Sequence, residues 1–227
     1  METLLYALQQ SALFHNMALA EIAELLTKIS YRVREYRENE IIFSINQTAD
    51  TLGIIIDGCV DVKKDFLSGK VVTITTRGPF DLLADAAMFS GAQYYPGTLF
   101  ACKTSKIFLL HKQELLRLFS LDQTIMLNFL CSVSNRMMAL NQKIEILSLT
   151  SIQSKIAHFL IRESQARQSL IVTLPFSKKN WAEHLNVSRT SLSRELRRLE
   201  AARYLSFHNR TIRIKQLSKL NELLSDE

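Results

Sequence analysis

Cysteine is scarce in this chain. Cys59, Cys102 and Cys131 are the whole complement among 227 residues. They are odd in number, far apart and at no metal-ligand spacing, so no pairing emerges; Cys59 and Cys102 could be redox handles, but buried packing is expected of each, in a reducing cytoplasmic setting. Long apolar runs are lacking too: none nears the roughly 18 residues of a membrane span. The opening METLLYALQQ has neither the basic n-region nor the cleavage site of a secretory leader. There is no His-x-His pair, which argues against a cupin-type metal enzyme. No Gly-x-Ser-x-Gly, Walker loop or Rossmann glycine fingerprint occurs either. His15, His111, His158, His184 and His208 are isolated from one another. The expectation is a non-enzymatic chain with no metal and no identified cofactor.

What is present is apolar residues, 47% of the chain, ample for one large or two small cores. The net charge of +6 is unevenly spread. Residues 1–149 hold 14 Lys+Arg against 15 Asp+Glu, whereas residues 150–227 hold 14 against 7. Concentrated positive charge is the footprint of a polyanion partner, although an idle basic surface would carry it too.

The organising stretch is Ser120–Leu149. Met126, Leu130, Val133, Met137, Leu140, Ile144 and Leu147 form an unbroken 4-3-4-3 apolar series, the period of a seam between supercoiled helices. Ser120 and Gln123 read as a capping box that opens it. A single amphipathic core helix would show similar spacing, but a helix this long favours a homodimer seam. Leu127 and Phe129 form a second apolar set, expected to pack on the N-terminal domain as well as on a partner.

Ahead of it, residues 2–29 read as helix, with stripes at Leu4, Leu5, Leu8 and at Ile22, Leu25, Leu26, Ile29. From Tyr31 the period shortens into β-rich runs at 41–43, 52–56, 59–62, 71–75, 97–100 and 107–110. Asp57-Gly58 and Ser68-Gly69-Lys70 read as hairpin turns. Many short strands at close spacing predict an antiparallel roll, jelly-roll-like in architecture. The strands are interrupted at Pro79–Gly91, where Asp81 or Asp85 is expected to cap a short helix. That helix could serve a ligand or simply plug the roll.

Beyond Thr150-Ser-Ile-Gln153, a second capping box, a new helix carries Ile152, Ile156, Phe159 and Leu160. A short strand follows at 170–174. Ser177 can cap a helix through Leu185, with Trp181, Ala182 and Leu185 on its buried side. Asn186 stands at a sharp turn, which its tolerance of left-handed backbone suits. Ser188 then caps a helix over about 189–202, with Leu192, Leu196 and Leu199 inward. Tyr204–Phe207 and Thr211–Ile214 form a hairpin. The whole reads as a winged helix-turn-helix. The predicted fold is therefore α+β: a β roll over 1–119, a dimerisation helix over 120–149 and a winged helix-turn-helix over 150–227.

The exposed face of that second helix suits double-stranded DNA. Arg189 and Arg194 can each offer guanine O6 and N7 two parallel donors, and Thr190 and Ser193 can donate or accept. Lys178, Lys179, Arg197, Arg198, Arg210 and Arg213, together with the hydroxyls of Ser177 and Ser188, are placed for the phosphate backbone. A solvated charged face on an interaction-only winged domain is the plainer alternative.

Asn186-Val-Ser-Arg-Thr-Ser-Leu-Ser-Arg194 resembles the recognition segment of the Crp/Fnr transcription regulators, and the likeness runs over nearly the whole chain. The Gly58, Gly69, Gly78 pattern resembles that family's cyclic-nucleotide-binding-like β roll, and Ser120–Leu149 its dimer helix. The resemblance implies a cytoplasmic homodimer, off the membrane, that binds a pseudo-palindrome under control of a small effector in the roll. RNA polymerase would be a further partner if it activates. It also implies base contacts at Arg189 and Arg194. Family members often carry Glu where Thr190 stands, so the half-site should differ from the familiar one. In members that bind cyclic AMP, a Gly-Glu pair and an Arg-Ser pair hold the nucleotide. Here Ala84-Asp85 and Tyr95-Pro96 align with them, which removes the bidentate guanidinium from the cyclic phosphate. The effector is therefore expected not to be cyclic AMP. Asp85, Tyr94, Tyr95 and Thr98 are the candidate pocket residues; a collapsed roll without ligand is the plain alternative. A cyclic-nucleotide-type regulatory module with no DNA target of its own is the alternative function.

Overall fold

The β-branched runs of the first half fold into strands β1 (Arg32–Tyr36), β2 (Ile41–Phe43), β3 (Thr51–Asp57), β4 (Val60–Asp65), β5 (Val71–Arg77), β6 (Leu82–Leu83), β7 (Thr98–Ala101) and β8 (Ser105–His111). These assignments come from a computed structural model that describes residues 2–65 and 71–225. The strands form two antiparallel sheets, ordered β1-β8-β3-β6 and β2-β7-β4-β5. Ile55, Val60, Leu83, Leu99, Ala101 and Ile107 fill the space that the two sheets share. The expected strands are all present; β6 was hidden inside the Pro79–Gly91 interruption. The Ser68-Gly69-Lys70 turn lies outside the described residues.

Asp57-Gly58 is not a hairpin. β3 pairs with β8 and β6, whereas β4 pairs with β5 and β7. The dipeptide is a corner at which the chain changes sheets. Gly58 has φ +107°, and a Cβ there would stand 2.6 Å from Ser105 Cα. Only glycine combines that backbone with that approach. The same corner overturns the expectation of unpaired cysteines. Val60 lies opposite Ala101 in the β4–β7 ladder, so Cys59 and Cys102 come next in line. They form a disulfide with Cα atoms 5.6 Å apart, an ordinary separation for such a bond. Pairing through a sheet register is invisible in a spacing of 43 residues. Cys131 is free and exposed.

The helical stretch expected over 2–29 is broken. It comprises α1 (Glu2–Gln10), a 3-10 turn at Ala12–Phe14 and α2 (Leu19–Thr27). Asn16, at φ 61°, ends the first path. Ala7, Leu8, Phe14, Ile22 and Leu26 then pack over Ile54, Ile56 and Phe108 of the sheet.

The Pro79–Gly91 segment holds β6 and a four-residue helix, α3 (Asp85–Met88). Neither expected aspartate caps it. Its N-cap is Ala84, at φ 63° and without a side-chain bond. Asp81 Oδ2 instead accepts from the Gly78 N–H at 2.9 Å. Asp85 lies within the helix and is committed elsewhere, as described below.

The long helix also starts later than its sequence signal. Helix α4 (Lys112–Leu121) precedes it, the backbone turns extended at Asp122, and α5 runs Gln123–Ser148. Asp122 Oδ1 accepts from the Thr124 N–H at 2.7 Å, while Ser120 donates to the Leu116 carbonyl inside α4. Aspartate, as good an N-cap as serine, takes the position two residues on.

The chain divides into two compact units, residues 1–136 and 137–227. In the second, α6 (Ile152–Arg167) is capped by Ser151, whose Oγ accepts from the Ser154 N–H. Gln153, the expected box partner, instead bonds Glu195. Strand β9 (Ile171–Thr173) joins the hairpin of β10 (Leu205–His208) and β11 (Thr211–Ile214) in a sheet ordered β10-β11-β9. Between them lie α7 (Lys178–His184) and α8 (Arg189–Ala201), and α9 (Leu217–Ser225) closes the unit. Ile156, Leu160, Trp181, Leu192, Leu196 and Leu220 make its core.

Candidate functional site

Local chemistry builds the basic module. Ser177 Oγ accepts from the Asn180 N–H and starts α7. After Leu185, Asn186 sits at φ 55° and reverses the chain. Ser188 Oγ then accepts from the Ser191 N–H at 3.0 Å and starts α8. These caps satisfy first-turn donors that would otherwise lack partners. With Leu192, Leu196 and Leu199 buried, the helix has no choice of face. Arg189, Thr190, Ser193, Arg194, Arg197 and Arg198 line one open groove together with Ala201. All four residues expected to meet bases, and two of those expected on phosphate, share that surface.

The remaining basic residues are placed less uniformly. Arg210 and Arg213 are exposed at the β10–β11 hairpin. Lys178 holds its ammonium 4.3 Å from the Phe207 ring centroid. Lys179 is exposed, 4.0 Å from Glu183. Arg198 pairs with Glu195 at 2.8 Å. Ser177 and Ser188 serve first as caps. Sequence reasoning missed Lys143, which donates to the Glu183 and His184 carbonyls at 3.4 and 3.1 Å. It thus holds the C-terminal end of α7, where a cation opposes the helix dipole. Burial, then the charges of Lys143 and Arg162, hold His184 below its ordinary value.

In the first unit, a small cavity of about 160 Å³ lies between α3 and the sheet β2-β7-β4-β5, with Thr75, Arg77, Ala84, Asp85, Gly97 and Arg136 among its walls. Asp85 is 2% exposed. Its Oδ1 accepts from Arg136 Nη1 at 2.6 Å, and its Oδ2 has no hydrogen-bond partner among the described residues. Nothing in the sequence signalled Arg136; the two are 51 residues apart. The other expected pocket residues do not converge on Asp85. Tyr95 lines the cavity, but its ring stacks on Phe43 at 4.7 Å and its hydroxyl is engaged by the Thr51 backbone. Burial is the main cause that raises its pKa. Thr98 is buried in β7, while Tyr94 is 48% exposed and bridges Thr48.

Helix α5 buries Ile125 and Phe129 in the first unit's core and Ile146 in the second's. Of the second apolar set, Phe129 packs in the first unit, while Leu127 is exposed on the single chain, as a side chain facing a partner would be. Of the seam series, Val133 is half-buried, while Met126, Leu130, Met137, Leu140, Ile144 and Leu147 are 36–64% exposed.

Comparison with known proteins matches residues 33–122 to the cyclic nucleotide-binding domain and residues 154–223 to the Crp-like helix-turn-helix domain. The cAMP-activated global transcriptional regulator CRP of Pasteurella multocida (strain Pm70) is 18% identical over 184 residues, 79% of this chain and 88% of that protein. Among solved structures, the catabolite activator protein of Thermus thermophilus is 18% identical, with a TM-score of 0.55 over 95% of this chain and 99% of that one. DNR from Pseudomonas aeruginosa is 22% identical, with a TM-score of 0.53 over 98% of both chains. At these identities the structures speak for the fold. The two matched domains are those that the sequence led one to expect, in the same order.

Proposed function

Since the chain belongs to the Crp/Fnr family of DNA-binding transcription regulators, we propose that it acts as a homodimer on a pseudo-palindromic site, under control of a small effector in its β roll. The observation that carries this is the single exposed face of α8, on which arginines alternate with small hydroxyl residues opposite a fully buried leucine stripe. A helix with that face fits the major groove. Arg189 and Arg194 read guanines, Thr190 and Ser193 donate to or accept from neighbouring base edges, and Arg197, Arg198, Arg210 and Arg213 meet phosphates. No helix among the described residues is long and apolar enough to cross a membrane; because a DNA-binding regulator works where the DNA is, we place the protein in the cytoplasm.

The functional division is a sensor roll over 1–119, a dimer helix over 120–149 and a reading module over 150–227. Large apolar side chains exposed in series along α5 support the dimer, because their burial against a second copy removes them from water. Two-fold symmetry would then present two α8 helices about 34 Å apart to successive major grooves. An effector acts by shifting that spacing. Cyclic AMP is a poor candidate: Tyr95 stands where family members carry the phosphate-binding arginine, and its hydroxyl is already engaged by Thr51. Titration with cyclic AMP should give no binding in the micromolar range.

The test is selection of random duplex DNA by purified protein, with no added effector and across a salt series. The expected outcome is an enriched palindrome with half-sites about one helical turn apart. Binding that shows no salt dependence and no enriched motif would contradict it.

A further inference from the structure

The cavity beside α3 holds an unusual pair. Asp85 is removed from water, yet only one of its oxygens is satisfied. A buried acceptor without a partner is costly, the more so when charged. A feature of that cost inside a cavity is a place prepared for a donor. Arg136 commits one nitrogen to Asp85 and is 30% exposed at its side chain. A guanidinium has five donor hydrogens in a planar fork, so it can still take an anion. Arg77 lines the same space.

The room is small. At about 160 Å³ the cavity falls well under the roughly 300–1,000 Å³ of sites for drug-sized ligands. Its inner wall is apolar, formed by Val62, Leu82, Leu83 and Leu99. A ligand must therefore be compact, with its polar groups at one end. That end needs a donor for Asp85 Oδ2 and, one carbon away, an anionic oxygen for Arg136. We propose that the cavity binds a short carboxylate, of about two to four carbons, bearing a hydroxyl or ammonium group on the carbon next to the carboxylate. The donor meets Asp85 Oδ2, the carboxylate meets Arg136, and the remaining carbons face the apolar wall. An ammonium acid would close a neutral quartet with Asp85 and Arg136; a hydroxy acid would lean on Arg77 for its extra charge. This deepens the reading of the roll as an effector domain and rests on it. Because Arg136 belongs to α5, the ligand would act directly on the helix that carries the seam.

The test is thermal unfolding of the full chain with glycolate, D- and L-lactate, glycine, L-alanine and L-serine, with propionate and 1,2-propanediol as controls that lack one group each. At least one of the six acids should raise Tm with concentration, as a native-state ligand must, and neither control should match it. The apparent affinity should fall about tenfold or more in Asp85→Asn and in Arg136→Met. Arg136→Met, at a partly exposed site, keeps the test decisive should Asp85→Asn fail to fold. No shift from any of the six, an equal shift from propionate, or a shift that survives both substitutions would overturn the proposal. A palindrome recovered in the DNA selection alongside a silent panel would overturn this inference alone and leave the regulator reading intact.

Discussion

Arg189 and Arg194 lie five residues apart on α8 and line the same exposed groove, but they need not be equivalent. A bidentate arginine–guanine contact discriminates by about 1–3 kcal/mol. Arg189→Ala and Arg194→Ala should each relax preference at one base pair per half-site, by roughly 5- to 150-fold, in competition binding with single-base variants. Arg210→Ala or Arg213→Ala should weaken all sequences alike and reduce the salt slope by about one. His184 offers a separate check. Its ring lies 5.8 Å from Phe159 and 5.9 Å from Phe176, and burial followed by Lys143 and Arg162 lowers its pKa from 6.5. The unfolded chain therefore takes up the proton first as pH falls. The stability that the neutral ring contributes is present above about pH 6.5 and is lost as pH drops below it. Lys143→Met should raise the His184 pKa in an NMR titration, and His184→Phe should reduce the acid loss of Tm. The residues proposed to read DNA could be grouped from the sequence because they are neighbours on one helix. Arg136 and Lys143 were not, because their partners, Asp85 and the α7 C-terminus, are brought to them only by tertiary structure.

At the scale of elements, signals confined to one turn were read well. Ser177, Ser188 and Asn186 do what their chemistry favours, and Ser188→Ala should cost about 1 kcal/mol in urea unfolding. Where two such signals competed, the sequence misled. Asp122 displaced Ser120 as the cap of α5, and Ser151 took the role expected of Thr150. Ala84 in left-handed backbone started α3 without any side-chain cap, which no cap rule anticipates. Asp57-Gly58 has the composition of a hairpin, yet strand pairing, a long-range property, made it a corner. Gly58→Ala should destabilise the first unit by more than about 1 kcal/mol, because it adds a clash with Ser105 to an unfavourable φ. Circular dichroism melts of the variant measure it.

For the whole molecule, the order of β roll, long helix and winged helix-turn-helix was plain from the hydrophobic period, and the basic last third from charge. The Cys59–Cys102 bond was not, since spacing carries no register. The proposed dimer rests on α5: its apolar series reads as a seam, and the single chain leaves that series mostly uncovered. Two copies on one duplex is the central claim, and the direct measurement is the mass of the protein complex with its selected palindrome by light scattering. Two chains per duplex are expected for the wild type, with loss of that complex in Leu140→Glu/Ile144→Glu. One chain per duplex at full affinity, indifferent to those substitutions, would contradict it.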